Sequence, residues 1–386
     1  MTLSIPLLAA APLVAGLLAP ALVGANPEPY ASTADTPRAV AAPRLPEPQG
    51  ARGVPVSGAV PGAPTPGEIA EVVGHVAARD AADHARVVSY WTPDRMEKAL
   101  PIGLLGLVAR EGGLLGGLAG RSGVGLFPAV SGRDAAVVPA RRGVRATAAR
   151  HGSARPLSST SGSRWAVGGA VTRTTGRVFL TMNGVDFVCS ASTVRGRSRD
   201  LVITAGHCVK DGTGAWAKNW TFVPGYGSGG EKPYGQWTAR RMFVTGPWSR
   251  GADDSYDVGM VALAPSRGRH VADVVGAQDI AFNSPRGGHA ISFGYPADPP
   301  YDGRHLVYCA GRLRADPYGD THDQGLGCDM TAGASGGPWL SRFDSAAGRG
   351  TITSLSSFKY SDDRRTMYGP LLGEAARKLY LTAERA

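Results

Sequence analysis

The chain lacks the spacings that would place it among metal-binding or nucleic-acid-binding proteins. Its 386 residues hold four cysteines, with no CxxC pair and no clustered Cys/His run. A zinc site has no ligand set to draw on, and neither a metal nor a cofactor is expected. No dense Lys/Arg block interleaves with aromatics. The net charge of +10 is spread thinly: residues 1–160 carry 15 basic and 11 acidic side chains, and residues 161–386 carry 26 and 20. No nucleic-acid partner is therefore expected. There is no internal repeat. Charge is missing altogether from residues 3–25, a run rich in Leu, Ala and Val that closes on Val23-Gly24-Ala25. Such a run with small residues at its end reads as a secretory signal, although no Lys or Arg precedes its apolar core. Its length would also span a bilayer, but Pro6, Pro12 and Pro20 interrupt it. Cleavage is the expectation, with no membrane contact afterwards.

What is present changes in texture along the chain. Residues 26–65 are dense in Pro, Ala and Gly and read as a linker without a core. From Pro66-Gly67-Glu68-Ile69-Ala70-Glu71 an Ala-rich, charge-interleaved pattern predicts a helix continuing through Val88. Residues 102–127 are Leu/Gly-rich, too glycine-dense for a stable isolated helix, and Arg110, Glu111 and Arg121 exclude a membrane span. A basic stretch follows with Arg141, Arg142, Arg145, Arg150 and Arg155. From Trp165 onward the pattern is all-β. Val178-Phe179-Leu180-Thr181 and Phe187-Val188-Cys189 are joined across Asn183-Gly184, a strong hairpin signal. Leu201-Val202-Ile203-Thr204 reads as a buried strand. Further strands are expected at 220–223, 258–263, 290–293, 306–309 and 351–354, and a last helix at 373–382. The division is then a signal (1–25), a largely irregular propeptide (26–160) and an all-β domain (161–386).

Two short motifs hold chemically potent residues in tight small-residue frames. They are Thr204-Ala205-Gly206-His207-Cys208 and Gly333-Ala334-Ser335-Gly336-Gly337-Pro338. Between them Asp257 heads the apolar run Val258-Gly259-Met260-Val261-Ala262-Leu263. A serine hydroxyl is a poor nucleophile until an imidazole removes its proton. Histidine titrates near neutrality, so it can take that proton and return it to a leaving amine. A buried carboxylate fixes the imidazole tautomer. The backbone amides of Gly333 and Ser335 are the expected donors to an oxyanion. Of the eight histidines, the other seven read as solvated or hydrogen-bonded. Asp253 and Asp254 lie in loop-like surroundings and read as solvated, whereas Asp257 abuts a strand where it can be buried and aimed.

The order His207, Asp257, Ser335 resembles that of the chymotrypsin-like serine proteases. Cys189-Ser190-Ala191-Ser192, Gly294-Tyr295-Pro296 and Cys328-Asp329-Met330-Thr331 extend the resemblance to secreted bacterial trypsin-like enzymes of the glutamyl-endopeptidase-like branch. It covers residues from about 165 to the end. The resemblance implies two six-stranded antiparallel barrels with the site between them, a C-terminal helix, and a serine endopeptidase working through an acyl-enzyme on protein or peptide substrates. A secreted monomer, made as a zymogen under its own propeptide, is expected. The other class of reading is a catalytically silent binding protein on the protease fold, at the cell surface. Four cysteines allow three connectivities. Local pairing of Cys189 with Cys208 and of Cys309 with Cys328 is the natural one, and the first matches the family's bridge beside the histidine. Each loop of nearly twenty residues is worth roughly 3 kcal/mol in chain entropy, and such bonds belong to an oxidising compartment.

The resemblance also places Asp329, six residues before Ser335, at the base of the pocket for the residue ahead of the scissile bond. An acid there favours Arg or Lys in the substrate. The glutamyl-endopeptidase likeness points the other way, but no basic residue sits in the nucleophile turn to receive a carboxylate. Animal trypsins switch on when a new amino terminus pairs with an Asp just before the serine. Ala166-Val167-Gly168-Gly169 looks like such a terminus, yet the residue before Ser335 is Ala334. A buried ammonium there would be unpaired and costly. A preformed oxyanion turn is expected, with the propeptide covering the cleft or assisting folding. Its removal is expected between Arg141 and Arg164.

Overall fold

The structure is a computed structural model that describes residues 71–102 and 159–386. The expected signal, the Pro/Ala/Gly-rich linker, the Leu/Gly-rich stretch beyond Ile102 and the arginines from 141 to 155 lie outside the described residues.

The upstream piece holds β1 (Val72–Val76), α1 (Ala81–Tyr90), α2 (Pro93–Lys98) and β2 (Leu100–Pro101). The helix expected through this stretch begins only at Ala81, where the Asp80 side chain accepts from the Asp83 amide and caps it. Residues 72–76 instead form a strand, because three valines meet a waiting sheet edge. The piece is packed: Trp91, Met96 and Ile102 are buried in the main core. Much of the expected propeptide is outside the described residues, but this part is a built layer of the fold.

Then follow β3 (Ser159–Arg164), a short helix α3 (Val171–Thr174), β4 (Thr175–Met182) and β5 (Val185–Thr193). The hairpin turn between the last two has Asn183 and Gly184 at φ 51° and 82°, the left-handed pair whose twist suits adjoining strands. β6 (Leu201–Thr204), β7 (Lys218–Pro224), β8 (Trp237–Thr245) and β9 (Gly259–Leu263) complete the first half. In the order β4, β5, β6, β9, β8, β7 these six strands pair antiparallel and return to β4, a closed barrel. Val178, Leu180, Val188, Ile203, Phe243 and Val261 are all buried. β1 adds to β8 antiparallel and β2 to β5 parallel.

After α4 (Gly246–Gly251) and α5 (Val271–Val275) come β10 (Asp279–Ile280), β11 (His289–Gly294), β12 (Val307–Arg312), β13 (Arg314–Ala315), β14 (Gln324–Gly327), β15 (Pro338–Asp344), β16 (Arg349–Leu355) and β17 (Thr366–Gly369). They do not close by one continuous ladder. One six-stranded sheet runs β10-β16-β15-β11-β12-β3, and β13-β14-β17 form a separate three-stranded sheet. β3 begins at Ser159, two residues ahead of the expected domain start. The last helix, α6 (Glu374–Ala383), lies against β8 and β9 and buries Leu379. Among the described residues no helix is long and apolar enough to cross a membrane. The bridges are Cys189–Cys208 and Cys309–Cys328, the local pairs.

Candidate active site

The ladder between β6 and β9 sets the first two groups. Thr204 pairs with Gly259 at its end, so the residues just beyond it on each strand are brought together. His207 lies in a single 3-10 turn, Gly206–Cys208. Asp257 follows another, Asp254–Tyr256. The imidazole Nδ1 is 2.7 Å from Asp257 Oδ2, and the His207 amide donates to Oδ1 at 2.8 Å. The Ser357 hydroxyl donates to Oδ2 as well. Burial alone would raise the Asp257 pKa, but the charge and hydrogen bonds of His207, with the Ser357 bond, outweigh it and hold the carboxyl below its usual range. An ionised carboxylate on Nδ1 leaves Nε2 as the nitrogen free to accept a proton. Trp248 packs beside the ring, with centroids 6.4 Å apart.

The third group comes from the second half. Ser335 sits in the turn that leads into β15, and two glycines explain the turn. Gly336 has φ +80°, and a Cβ there would lie 2.1 Å from Thr204 Oγ1 and 2.4 Å from Ser190 O. Gly333 has φ +93°, and a Cβ would meet Tyr295 O at 2.9 Å. No L side chain fits either place without strain. The Gly336 amide donates to Ser356 O, and the Ser356 amide to Gly337 O. Among the described residues neither the Gly333 nor the Ser335 amide donates to another protein group. Two unused amides, one of them the serine's own, leave backbone donors free beside its side chain.

Ser190 on β5 fastens this turn from the other side. Its amide donates to Ser335 O at 2.7 Å, its hydroxyl donates to Gly333 O at 2.8 Å, and that hydroxyl accepts from the Tyr295 amide at 2.8 Å. With the Gly333 carbonyl held inward, the peptide plane before Ala334 is fixed. Ser335 Oγ and His207 Nε2 are both buried without a partner among the described residues, and no hydrogen bond joins them.

Solved structures similar to this chain exist. The protease Anisep from Arthrobacter nicotinovorans is 38% identical, with a TM-score of 0.53, over 55% of this chain and 96% of its own. A thermostable serine protease, AL20, from an extremophilic microorganism is 37% identical, also at 0.53, over 56% and 99%. The chain belongs to the trypsin-like serine proteases of the chymotrypsin fold. It is a serine-type endopeptidase. No protein-family model matches the chain. Over 102 residues it is 32% identical to a Bacillus subtilis (strain 168) protein named extracellular metalloprotease; the match spans 26% of this chain and about a third, 32%, of that relative. Donor chemistry does not extend that name to a metal site here. Among the described residues only Cys189, His207 and Cys208 lie close enough together to share an ion, and the two sulfurs are spent on each other.

Asp329 is placed differently from a free pocket floor. Its Oδ1 accepts from the Gly162 amide at 2.7 Å and the Tyr301 hydroxyl at 2.6 Å, so β3 and the loop after β11 both tie it down. Its own amide donates to Thr160 O. Lys359 is buried nearby and donates to Cys328 O and Arg364 O at 2.6 Å each. Burial lowers that ammonium's pKa to about 8, with Asp329 and Asp363 opposing. Asp253 and Asp254, expected in solvent, are half-buried. Burial first, and the Asp257 charge second, push Asp254 up to about 7. Sequence reading missed three side chains in the protease site: Ser357, Lys359 and the hydroxyl of Ser190. Only Ser190 carried a signal, inside the Cys189-Ser190-Ala191-Ser192 motif; the other two follow a strand with nothing local to mark them.

Proposed function

We propose that the protease cleaves peptide bonds through a His207–Asp257–Ser335 triad and an acyl-enzyme. The observation that carries this is the bonded chain Ser357–Asp257–His207, together with a buried Ser335 whose turn leaves the Gly333 and Ser335 amides unused among the described residues. His207 Nε2 takes the Ser335 proton as Oγ attacks the carbonyl carbon. The Gly333 and Ser335 amides receive the oxyanion, and Nε2 then gives the proton to the leaving amine. Asp257 stays ionised and holds the imidazolium. The absent Nε2–Oγ bond fits a site that tightens around substrate, since each atom is buried and has no other partner to give up. Purified protease treated with an organophosphonate should be labelled at Ser335. Absence of label in the natural chain, or label persisting in Ser335→Ala, sinks this reading.

The enzyme is further read as secreted, monomeric and made as a precursor. Both disulfides fit an oxidising compartment. Residues upstream of β3 are read as the removable part, and Ser159 as the latest start that keeps the β3–β12 pairing. Trp165 is buried against Phe293, Tyr308 and Phe343, while Val167 is 65% exposed. That geometry, with Ala334 before the nucleophile, supports an oxyanion turn that does not wait for an inserted amino terminus.

For the residue ahead of the scissile bond we favour Arg or Lys, received by Asp329. Its Oδ2 accepts no hydrogen bond among the described residues. A second reading rests on Lys359, whose ammonium would receive an acidic side chain. Cleavage-site profiling of a peptide library separates them. Asp329→Ser should erase a basic preference, and Lys359→Met should erase an acidic one.

A further inference from the structure

Arg177 is a buried cation on the wall of a cavity. It lies on β4 opposite Ser190 in the ladder, is 5% exposed, and its Nε has no hydrogen-bond partner among the described residues. The guanidinium sits 5.2 Å from the ring centres of both Phe179 and Tyr226, within cation–π range of each. A buried cation is costly unless polar or charged groups face it, and here Tyr226, Tyr295 and Asp302 favour the charge. The guanidinium lines a cavity of about 650 Å³, with Met96, Glu97, Tyr226, Asp302 and Arg304 also on its wall. Glu97, on α2 of the upstream piece, pairs with Arg304 at 3.0 Å. Asp302 Oδ1 is taken by the Arg304 amide. Two guanidinium groups thus face two carboxylates while the upstream piece is present. Without Glu97 one positive charge is left over.

The cavity's position gives the ligand. The nucleophile turn is gripped on two flanks: Ser356 bonds Gly336 and Gly337, and Ser190 bonds Ser335. The Ser356 flank runs on to Lys359, Cys328 and Asp329, where the side chain ahead of the scissile bond is received. The Ser190 flank leads to Arg177. A peptide crossing Ser335 therefore carries its leaving segment past Arg177. We propose that this cavity is a subsite for an acidic side chain in the leaving segment of the substrate, blocked in the precursor by α2 and opened when the piece carrying Glu97 departs. The inference rests on Ser335 being the nucleophile and on that piece being removed.

The test uses the full chain, expressed and left to mature. Quenched peptides share one acyl half, end in an amide, and carry Glu or Gln at each of the first few leaving positions. The Glu/Gln ratio of kcat/KM is read within each variant, so overall rate does not enter. At one leaving position the ratio should be about tenfold or more, the scale of a charged hydrogen bond. It should fall to about one in Arg177→Met, survive in part in Arg177→Lys, and shrink in Arg304→Gln. Organophosphonate labelling reports whether each variant has an assembled site. If Arg177→Met fails to label, Arg177→Lys and Arg304→Gln decide. A natural enzyme that labels but shows no acidic preference on the leaving side overturns the subsite alone, as does a preference that ignores these arginine substitutions. A natural enzyme that does not label overturns the triad and this inference with it.

Discussion

In the first half of the protease six strands close on themselves, and the ladder that closes them also sets His207 against Asp257. In the second half nine strands divide between two sheets, and no ladder joins β12 to β14 or β16 to β17. Other links stand in: the Cys309–Cys328 bridge, an isolated pairing of Phe358 with Tyr368, and Lys359 reaching two carbonyls. The half that holds the proposed base is thus closed by one backbone ladder, and the half that holds Ser335 and Asp329 is closed by separate links between two sheets. A proton acceptor tolerates little displacement, whereas a specificity pocket gains from parts that can be exchanged one at a time.

The comparison breaks first at the chemistry, where the halves should count equally. His207→Ala and Ser335→Ala should each lower kcat by roughly 10⁴ to 10⁶, and the double variant should fall no further, because the groups act as a unit. Melting temperatures should stay near that of the natural protease. Asp257→Asn should also be severe, since the amide supports the wrong tautomer. Steady-state kinetics with near-normal rates for Asp257→Asn would move the acid's role to Asp253 or Asp254.

The bridges sharpen it next. Both pairs are 19 residues apart in sequence, so loss of either should cost about 3 kcal/mol through the unfolded chain. They should differ in what else they disturb. Replacing Cys309 and Cys328 by Ala should broaden the cleavage profile, because nothing in the ladder replaces that link. Replacing Cys189 and Cys208 should leave the profile alone. Denaturant titration and library profiling read the two effects separately.

Where the halves meet at Ser190, a smaller loss is expected. Ser190→Ala leaves the Tyr295 amide without its acceptor and frees the Gly333 carbonyl. Buried amides left unpaired cost about 1–3 kcal/mol, and kcat should drop roughly 10- to 100-fold with KM little changed. A change in KM alone would make Ser190 part of substrate binding rather than of the turn.

The gentlest probe is pH. Asp254, with its pKa raised from 3.8 to about 7, faces buried Asp323, which burial and Asp254 likewise push up. The folded state binds the Asp254 proton more tightly than the unfolded state. Its favourable contribution is therefore full below pH 4 and is lost as pH rises to about 7. Asp254→Asn should gain stability relative to the natural protease across that window and keep the gain above it. Thermal melts at pH 4, 5.5, 7 and 8 would read the difference, and a flat difference would place Asp254 in solvent.

The sequence alone determined what depends on residues close together in the chain. Gly333 and Gly336 frame Ser335 because the turn needs positive φ and no Cβ. Asn183-Gly184 makes its hairpin because it too supplies positive φ, and continuous apolar runs mark the buried strands beside His207 and Asp257. Strand β8 hid behind Arg240 and Arg241, and β14 behind its glycines, because pairing with neighbours rather than local preference makes them strands. Residues 72–76 became a strand only on meeting the edge of β8. Ser357 bonding Asp257, Ser190 holding Gly333 and Tyr301 occupying Asp329 all join residues about 30 to 140 positions apart. No local pattern encodes such distances, since closing the chain on itself is what brings those groups within reach.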